Sequence, residues 1–339
     1  MSNMKPIMAM TMGDPAGIGP ETLVKTMLSE EIHNCCKPFV IGSQAIMEKA
    51  AKVCGLEDKI KFHPITDPSE AKYEIGTFDI METGDYDTDS IEWGEVQQLC
   101  GQMSYDFIVR SIELGIAGKI DAVSTTPINK QAIKMCGVSE PGHTEIYQHL
   151  TNSKYALTMF SCHKLRVFFV SRHMSLIDAV KYATKDVVLQ NLRDIDYELR
   201  SVGIENPLIA VAGINPHNGD NGMFGREELD ELFPAVEAAQ AEGINAVGPI
   251  PGDSVFNIGK SGKFDAILSM YHDQGHIACK TYDFEKSVTV TWGLPFIRGS
   301  VDHGTAFDIA GKNIANEISL IESTKVCAEY AGLKMAKNQ

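Results

Sequence analysis

Three histidines sit where imidazoles can do chemistry instead of filling a core. His173 stands in Val170-Ser171-Arg172-His173-Met174-Ser175, His217 in Gly213-Ile214-Asn215-Pro216-His217-Asn218-Gly219, and His272 in Met270-Tyr271-His272-Asp273-Gln274-Gly275. Each follows a short apolar run, so each falls at the end of an expected strand. Three converging imidazoles leave open positions on a divalent ion and make it a Lewis acid. Three lone loop histidines are the plainer alternative, and spacing alone does not separate the two. His143-Thr144-Glu145 follows Pro141-Gly142 and precedes an apparent helix, Ile146 to Leu150. An imidazole and a hydroxyl at a helix start suit an oxyanion or phosphate, although N-capping is the commoner work of a threonine there. Lys280 and Arg298 are candidate anion-binding cations, set against the ordinary role of Lys and Arg as solvated surface charges.

These groups need a frame. Pro6–Thr11, Pro38–Ile41, Ile120–Ser124, Leu208–Ala212 and Phe264–Met270 have the short apolar form of buried strands. Glu21–Ser29, Gln44–Cys54, Glu95–Leu114, Asp186–Val202, Arg226–Glu242 and Ile314–Met335 have the length and periodicity of helices. Strand then helix, repeated, predicts an α/β fold with a largely parallel sheet, whose carboxyl strand ends collect binding groups. Gly13-Asp14-Pro15-Ala16-Gly17-Ile18-Gly19-Pro20-Glu21 joins the first strand to the first helix. A dinucleotide fingerprint needs a third glycine where Thr22 stands, and the P-loop Lys-Ser/Thr is missing too, so a generic Rossmann reading fails. A tight turn with Pro20 at the first helical position explains the segment equally well.

The chain has 339 residues, with 30 Lys and Arg against 45 Asp and Glu, a net charge of −15. That balance excludes a broad grip on nucleic acid or anionic membrane, yet permits a small anionic substrate in a local positive pocket. No apolar run is long enough to span a bilayer. Met1 to Met12 lacks the form of a leader peptide. Eight cysteines are scattered without a CxxC pair, which fits reduced thiols and a cytoplasmic protein.

MTMGDPAGIGPE, TTPINK, PGHTE, INPHNG, MYHDQG with Lys280, and GLPFIRGSVDHGTAFDIAGK follow one another from residue 10 to about 312. On these blocks the chain resembles the 4-hydroxythreonine-4-phosphate dehydrogenase (PdxA) family over essentially its whole length. Agreement across independent segments outweighs the lone-histidine reading. The resemblance implies a two-domain α/β/α architecture of the isocitrate and isopropylmalate dehydrogenase type, with the site in an interdomain cleft at a homodimer interface. The expected domains are residues 1–130 plus 287–339, and residues 131–286 carrying most of the site. It further implies a divalent metal (Zn, Co, Mn, Ni or Mg) on His173, His217 and His272, shared between subunits. His143, Thr144, Lys280 and Arg298 would hold a phosphorylated substrate. His303 to Lys312 resembles an adenine-side loop in which Gly304 and Asp308 contact the cofactor; a carboxylate beside a ribose 2′-hydroxyl repels a 2′-phosphate, so NAD is expected over NADP.

The implied reaction is oxidation of a 3-hydroxyl followed by loss of CO₂, with Asp273, Asp253 or Lys130 as proton acceptor and either carboxylate alternatively orienting an imidazole. The family commonly has asparagine where Thr289 stands, so the substrate head group differs. His272 to Ile277 is closer to a sibling branch acting on 4-phospho-D-threonate or 4-phospho-D-erythronate. That branch gives dihydroxyacetone phosphate instead of the 3-amino-2-oxopropyl phosphate of pyridoxal phosphate synthesis. The phosphate-type residues argue against a third branch, which oxidises aromatic cis-dihydrodiol carboxylates. A metal-dependent hydrolase and a non-catalytic phosphosugar sensor are rival classes, and both predict no cofactor reduction.

Overall fold

The computed structural model describes residues 5–337; the first four residues of the segment read as lacking a leader lie outside them. In chain order the strands are β1 (Ile7–Thr11), β2 (Lys37–Ile41), β3 (Lys61–Pro64), β4 (Thr77–Met81), β5 (Ala122–Thr125), β6 (Leu157–Cys162), β7 (Leu165–Phe169), β8 (Ile209–Ala212), β9 (Ala246–Ile250), β10 (Ala266–Ser269), β11 (Val288–Trp292) and β12 (Ile297–Val301). The chain divides into two compact units, Met1–Ala156 with Val288–Gln339, and Leu157–Ser287.

In the first unit the strand order is β3-β4-β2-β1-β5-β12-β11. All neighbours are parallel except β11 and β12, which pair antiparallel with Thr291 opposite Arg298 and Thr289 opposite Ser300. The central strands are buried along nearly their whole length, as parallel strands covered on both faces must be. Strand order reverses between β1 and β5, so the loops after those two strands lie side by side. The unit extends to Ala156 instead of ending at residue 130. The reason is packing: helices Lys130–Met135 and His143–Leu150 both lie on the long helix Gln98–Ile116. His143 and Thr144 therefore belong with Arg298 in the first unit.

In the second unit the order is β6-β7-β10-β8-β9, with β6 antiparallel to β7 and the rest parallel. Its core joins Phe160, Val167, Phe169, Ala210, Val255, Phe264 and Ile267. The expected helix Arg226–Glu242 is interrupted: a π-helical turn, Glu228–Leu232, precedes an α-helix over Phe233–Ala241. Pro234 has no N–H to give the preceding turn, which accounts for the break. Among the described residues no helix is long and apolar enough to cross a membrane, and all eight cysteines are free.

Candidate active site

The second unit presents its histidines as parallel strands should, at neighbouring carboxyl ends. His173 follows β7, His272 follows β10, His217 follows β8 and Asp253 follows β9, in the spatial order of the sheet. Backbone and side-chain bonds fix the first two: Val170 N–H donates to Ser269 O (2.8 Å) and Ser171 Oγ to Met270 O (2.8 Å). The His173 and His272 rings then lie 6.3 Å apart along a cavity of about 520 Å³ that also meets Met174, Leu176, Tyr271 and Asp273. His217 opens onto an adjoining cavity of about 570 Å³ with Asp253, Tyr271, Asp273 and Gln274. A cavity of equal size in the first unit, beside β4, holds none of the expected site residues.

His272 is held on two sides. Its Nδ1 meets Asp273 Oδ1 at 2.7 Å, which orients the ring and leaves Nε2 as its outward nitrogen. The His276 ring stacks flat against it, 3.8 Å away at 11°. His276 is itself wedged beside Phe160 and Phe169, with centroids at 4.1 and 4.5 Å, and burial pulls its pKa down to about 4. His217 and Asn218 adopt the left-handed region, with φ of 52° and 57°, at a cost of order 1–3 kcal/mol each. Buried Glu228 offsets that strain by accepting from Ile214 N–H (2.7 Å), Asn215 N–H (2.6 Å) and Asn215 Nδ2 (2.8 Å). Gln274 ties the same loop to β10, donating to Gly213 O (2.7 Å) and accepting from Met270 N–H (2.8 Å). Neither brace is visible as a site residue in the sequence: Glu228 reads as an ordinary acid in a helical stretch. Lys280 lies two turns beyond His272 on the helix His272–Tyr282, its ammonium 5.6 Å from the exposed Phe284 ring.

The first unit holds a different kind of site. Arg298, the second candidate cation, stands within β12 and is 2% exposed. Its Nη2 donates to Thr125 Oγ1 (2.9 Å), and its Nη1 to Thr291 Oγ1 (3.1 Å) and Thr144 Oγ1 (3.3 Å). Gly142, not Thr144, is the N-cap of the helix His143–Leu150, which frees the Thr144 hydroxyl for the guanidinium. His143 Nε2 is buried without a hydrogen-bond partner. Burial first, and the Arg298 charge second, hold the imidazole well below its ordinary pKa and therefore neutral. Thr289 lies two residues before Thr291, on the same face and half-buried. Lys130 is exposed at the start of its own helix, with Asn129 as N-cap, and its stem runs near Gly142.

The glycine turn serves packing. A Cβ on Gly13 would meet Pro127 O and Thr126 Oγ1 at 2.4 Å, and one on Gly19 would meet Met12 O at 2.3 Å. Asp14 in this turn is buried, and burial pushes its carboxyl up to about 6 against the hydrogen bonds from Ala16 and Asn129. Glu21, fully buried, reaches across to accept from Gly311 N–H and Asn313 N–H (2.8 Å), and Ile18 N–H donates to Thr305 O (3.0 Å). The loop 303–313 is thereby pinned from below, with Gly304 and Asp308 on its exposed side.

Residues 34–327 match the family described as pyridoxal phosphate biosynthetic protein PdxA. The chain belongs to the PdxA family. A family member from Symbiobacterium thermophilum, named "Putative D-threonate 4-phosphate dehydrogenase", is 48% identical over 96% of this chain and 97% of its own length. Crystal structures titled as 4-hydroxythreonine-4-phosphate dehydrogenase share the fold. The one from Burkholderia phymatum has a TM-score of 0.86 at 41% identity, covering 96% of this chain and 98% of its own. The one from Klebsiella pneumoniae has a TM-score of 0.89 at 36% identity, covering 97% and 99%. This PdxA-family chain is an oxidoreductase acting on a CH–OH group.

The groups the family implies can be tested against these residues. For a metal, the donor chemistry is right: His272 has its Nδ1 engaged and Nε2 directed outward. The count within one chain is not, because among the described residues no three His, Cys, Asp or Glu side chains stand close enough to share an ion. For a dinucleotide, the exposed Asp308 carboxylate and the open backbone at Gly304, where a Cβ would touch nothing within 4 Å, suit a ribose and its hydroxyls.

Proposed function

We propose that this chain is an NAD-dependent, divalent-metal-dependent dehydrogenase of 4-phosphorylated four-carbon hydroxy acids. It oxidises the 3-hydroxyl, and the 3-keto acid then loses CO₂. The preferred substrates are 4-phospho-D-threonate or 4-phospho-D-erythronate, giving dihydroxyacetone phosphate. The observation that carries the reading is buried Arg298 beside the half-buried Thr144 hydroxyl and a neutral His143, a cationic pocket assembled from segments far apart in sequence. Relatives named for D-threonate 4-phosphate at 48% and 47% identity support the sugar-acid branch.

Arg298 and the Thr144 hydroxyl bind the phosphate, and His143 contributes a hydrogen bond from an uncharged ring. Lys280 adds positive charge in the second unit. His173, His217 and His272 would hold a divalent ion, which would supply the Lewis acidity that favours loss of the hydroxyl proton. One chain does not complete this donor set, so we propose a homodimer that shares it. Asp273 orients His272. Asp253, exposed beside His217, and Lys130 are the remaining candidates for the proton acceptor. A bound nicotinamide would accept the hydride from C3, the hydroxyl proton would pass to one of these acceptors, and after CO₂ leaves the enol would take a proton at C2 to give dihydroxyacetone phosphate. Asp308 selects NAD over NADP. The free thiols agree with a cytoplasmic setting.

A second reading is 4-hydroxythreonine-4-phosphate oxidation in pyridoxal phosphate synthesis, favoured by the names of the two crystallised relatives. NADH absorbance, with metal-loaded protein and NAD⁺, separates them when 4-phosphohydroxythreonine, 4-phospho-D-threonate and 4-phospho-D-erythronate are offered in parallel. Signal with a sugar acid, abolished in His217→Ala, supports the first reading. Signal with the amino substrate alone supports the second. Silence with all three from folded, metal-loaded protein rejects both and returns the hydrolase to consideration.

A further inference from the structure

The guanidinium of Arg298 is held by more than the residues that would touch substrate. Thr125 Oγ1 donates its own proton to Gly299 O (3.1 Å) and accepts from Arg298 Nη2 (2.9 Å), so its lone pair faces the arginine. Thr291 Oγ1 accepts from Nη1 at 3.1 Å out of the antiparallel register that sets it opposite Arg298. The Tyr147 ring lies 5.2 Å from Arg298 Cζ, within cation–π range. That ring is fixed in turn: Ser111 Oγ donates to Ile108 O (2.7 Å), which leaves Tyr147 O–H to donate to Ser111 Oγ (2.6 Å). Phe296 packs edge-on against Tyr147 at 6.2 Å. Thr125 and Tyr147 are fully buried and Thr291 is 1% exposed, so these contacts are sheltered from competing water.

A hydroxyl can direct a guanidinium without neutralising it. A carboxylate in the same place would satisfy the same N–H groups and cancel the charge that an anionic ligand needs. We propose that Thr125 and Thr291 are positioning residues, whose hydroxyls, with the Tyr147 ring, fix the plane in which Arg298 meets a substrate oxyanion. This rests on the reading that Arg298 binds phosphate. It predicts that the two threonines govern ligand affinity without touching the reacting carbon.

The test uses the full chain, inorganic phosphate as the calorimetric probe, and steady-state kinetics with the phosphorylated substrate. Thr125→Val and Thr291→Val keep shape and remove the hydroxyl. Each is expected to weaken phosphate binding by about tenfold, the worth of one hydrogen bond to a charged group. KM should rise in parallel with kcat nearly unchanged. Thr125→Ser and Thr291→Ser should restore both values, a rescue that a methyl-packing role would not give. Folded valine variants with wild-type phosphate affinity overturn the proposal, as does a serine variant as weak as its valine counterpart. If Thr125→Val does not fold, Thr291→Val decides alone, because it leaves the Gly299 bond intact. Arg298→Lys separates the two levels. Loss of phosphate binding there with silent valine variants rejects the threonines and keeps the phosphate reading. Unchanged binding in Arg298→Lys, or none in the wild type, rejects the phosphate reading and the proposal with it.

Discussion

Arg298 in the first unit is 2% exposed and bonded to three hydroxyls, whereas the His272 and Asp273 side chains in the second unit are 42% and 71% exposed. A guanidinium cannot shed its charge, so burying it demands polar partners within the same chain. A neutral imidazole costs little to leave in water and can wait for partners from outside. The first unit thus carries a preformed cationic pocket, the one proposed above to bind the phosphate. The second carries braced but open donors, with His173 and His272 facing one cavity and His217 the next.

The largest effect should come from the preformed side. Arg298→Met leaves the pocket without its cation and is expected to lower kcat/KM for the phosphorylated substrate by roughly 10³-fold, about 4 kcal/mol. Metal uptake, measured by equilibrium dialysis, should be unchanged. Loss of both properties together would erase the distinction between the two sites. His217→Ala should show the reverse pattern, with catalysis reduced by about 10²-fold or more through lost metal while phosphate calorimetry stays at the wild-type value.

The same contrast explains which parts were legible in the sequence. β1, β2, β5, β8 and β10 are buried along their length and announce themselves as apolar runs, which sets His217 and His272 at strand ends, and the run at the end of β7 does the same for His173. β3 is a half-exposed strand with the sequence Lys-Phe-His-Pro and gives no such signal. β12 reads Ile-Arg-Gly-Ser-Val, and an arginine in a strand looks like a loop until its hydroxyl partners are known. Those partners, Thr125 and Thr291, belong to other strands, and nothing local marks a strand threonine as an arginine ligand. The extent of the first unit was hidden for a related reason: the packing of 130–156 on Gln98–Ile116 is a tertiary preference. Glu228 was hidden by the π-helical turn around it, which a 3.6-residue periodicity cannot reveal.

Burial in the first unit carries a second electrostatic cost that can be read through pH. Asp14 ionises at about 6 in the folded chain against 3.8 as a free side chain. Its native pKa is raised, so the folded state binds the proton more tightly, and stability falls as pH rises from 3.8 through 6. Above that window the cost is constant, roughly 3 kcal/mol for a shift of this size. Asp14→Asn keeps an acceptor for Ala16 N–H and removes the charge. Urea unfolding should find it more stable than wild type by up to that amount at pH 8, with the advantage shrinking below pH 6 and gone below 3.8. An advantage independent of pH would mean that Asp14 titrates alike in the folded and unfolded chain and that the turn is not electrostatically strained.

The smallest effect separates bracing from ligation in the second unit. Glu228 takes three N–H groups of Ile214 and Asn215 onto one buried carboxylate and so supports the left-handed turn at His217 and Asn218. Glu228→Gln preserves volume but replaces one oxygen with an NH₂ that faces donors, so at least one of these bonds must open. His217 then loses its fixed direction without losing its imidazole. Metal affinity, read by competition with a chromophoric chelator, is expected to fall by about tenfold, the scale of a support lost behind a ligand. Phosphate affinity in the first unit should not move. If the variant is less stable yet binds metal as tightly as wild type, Glu228 serves the fold alone, and the open donors of the second unit depend less on their scaffold than the buried arginine of the first unit does.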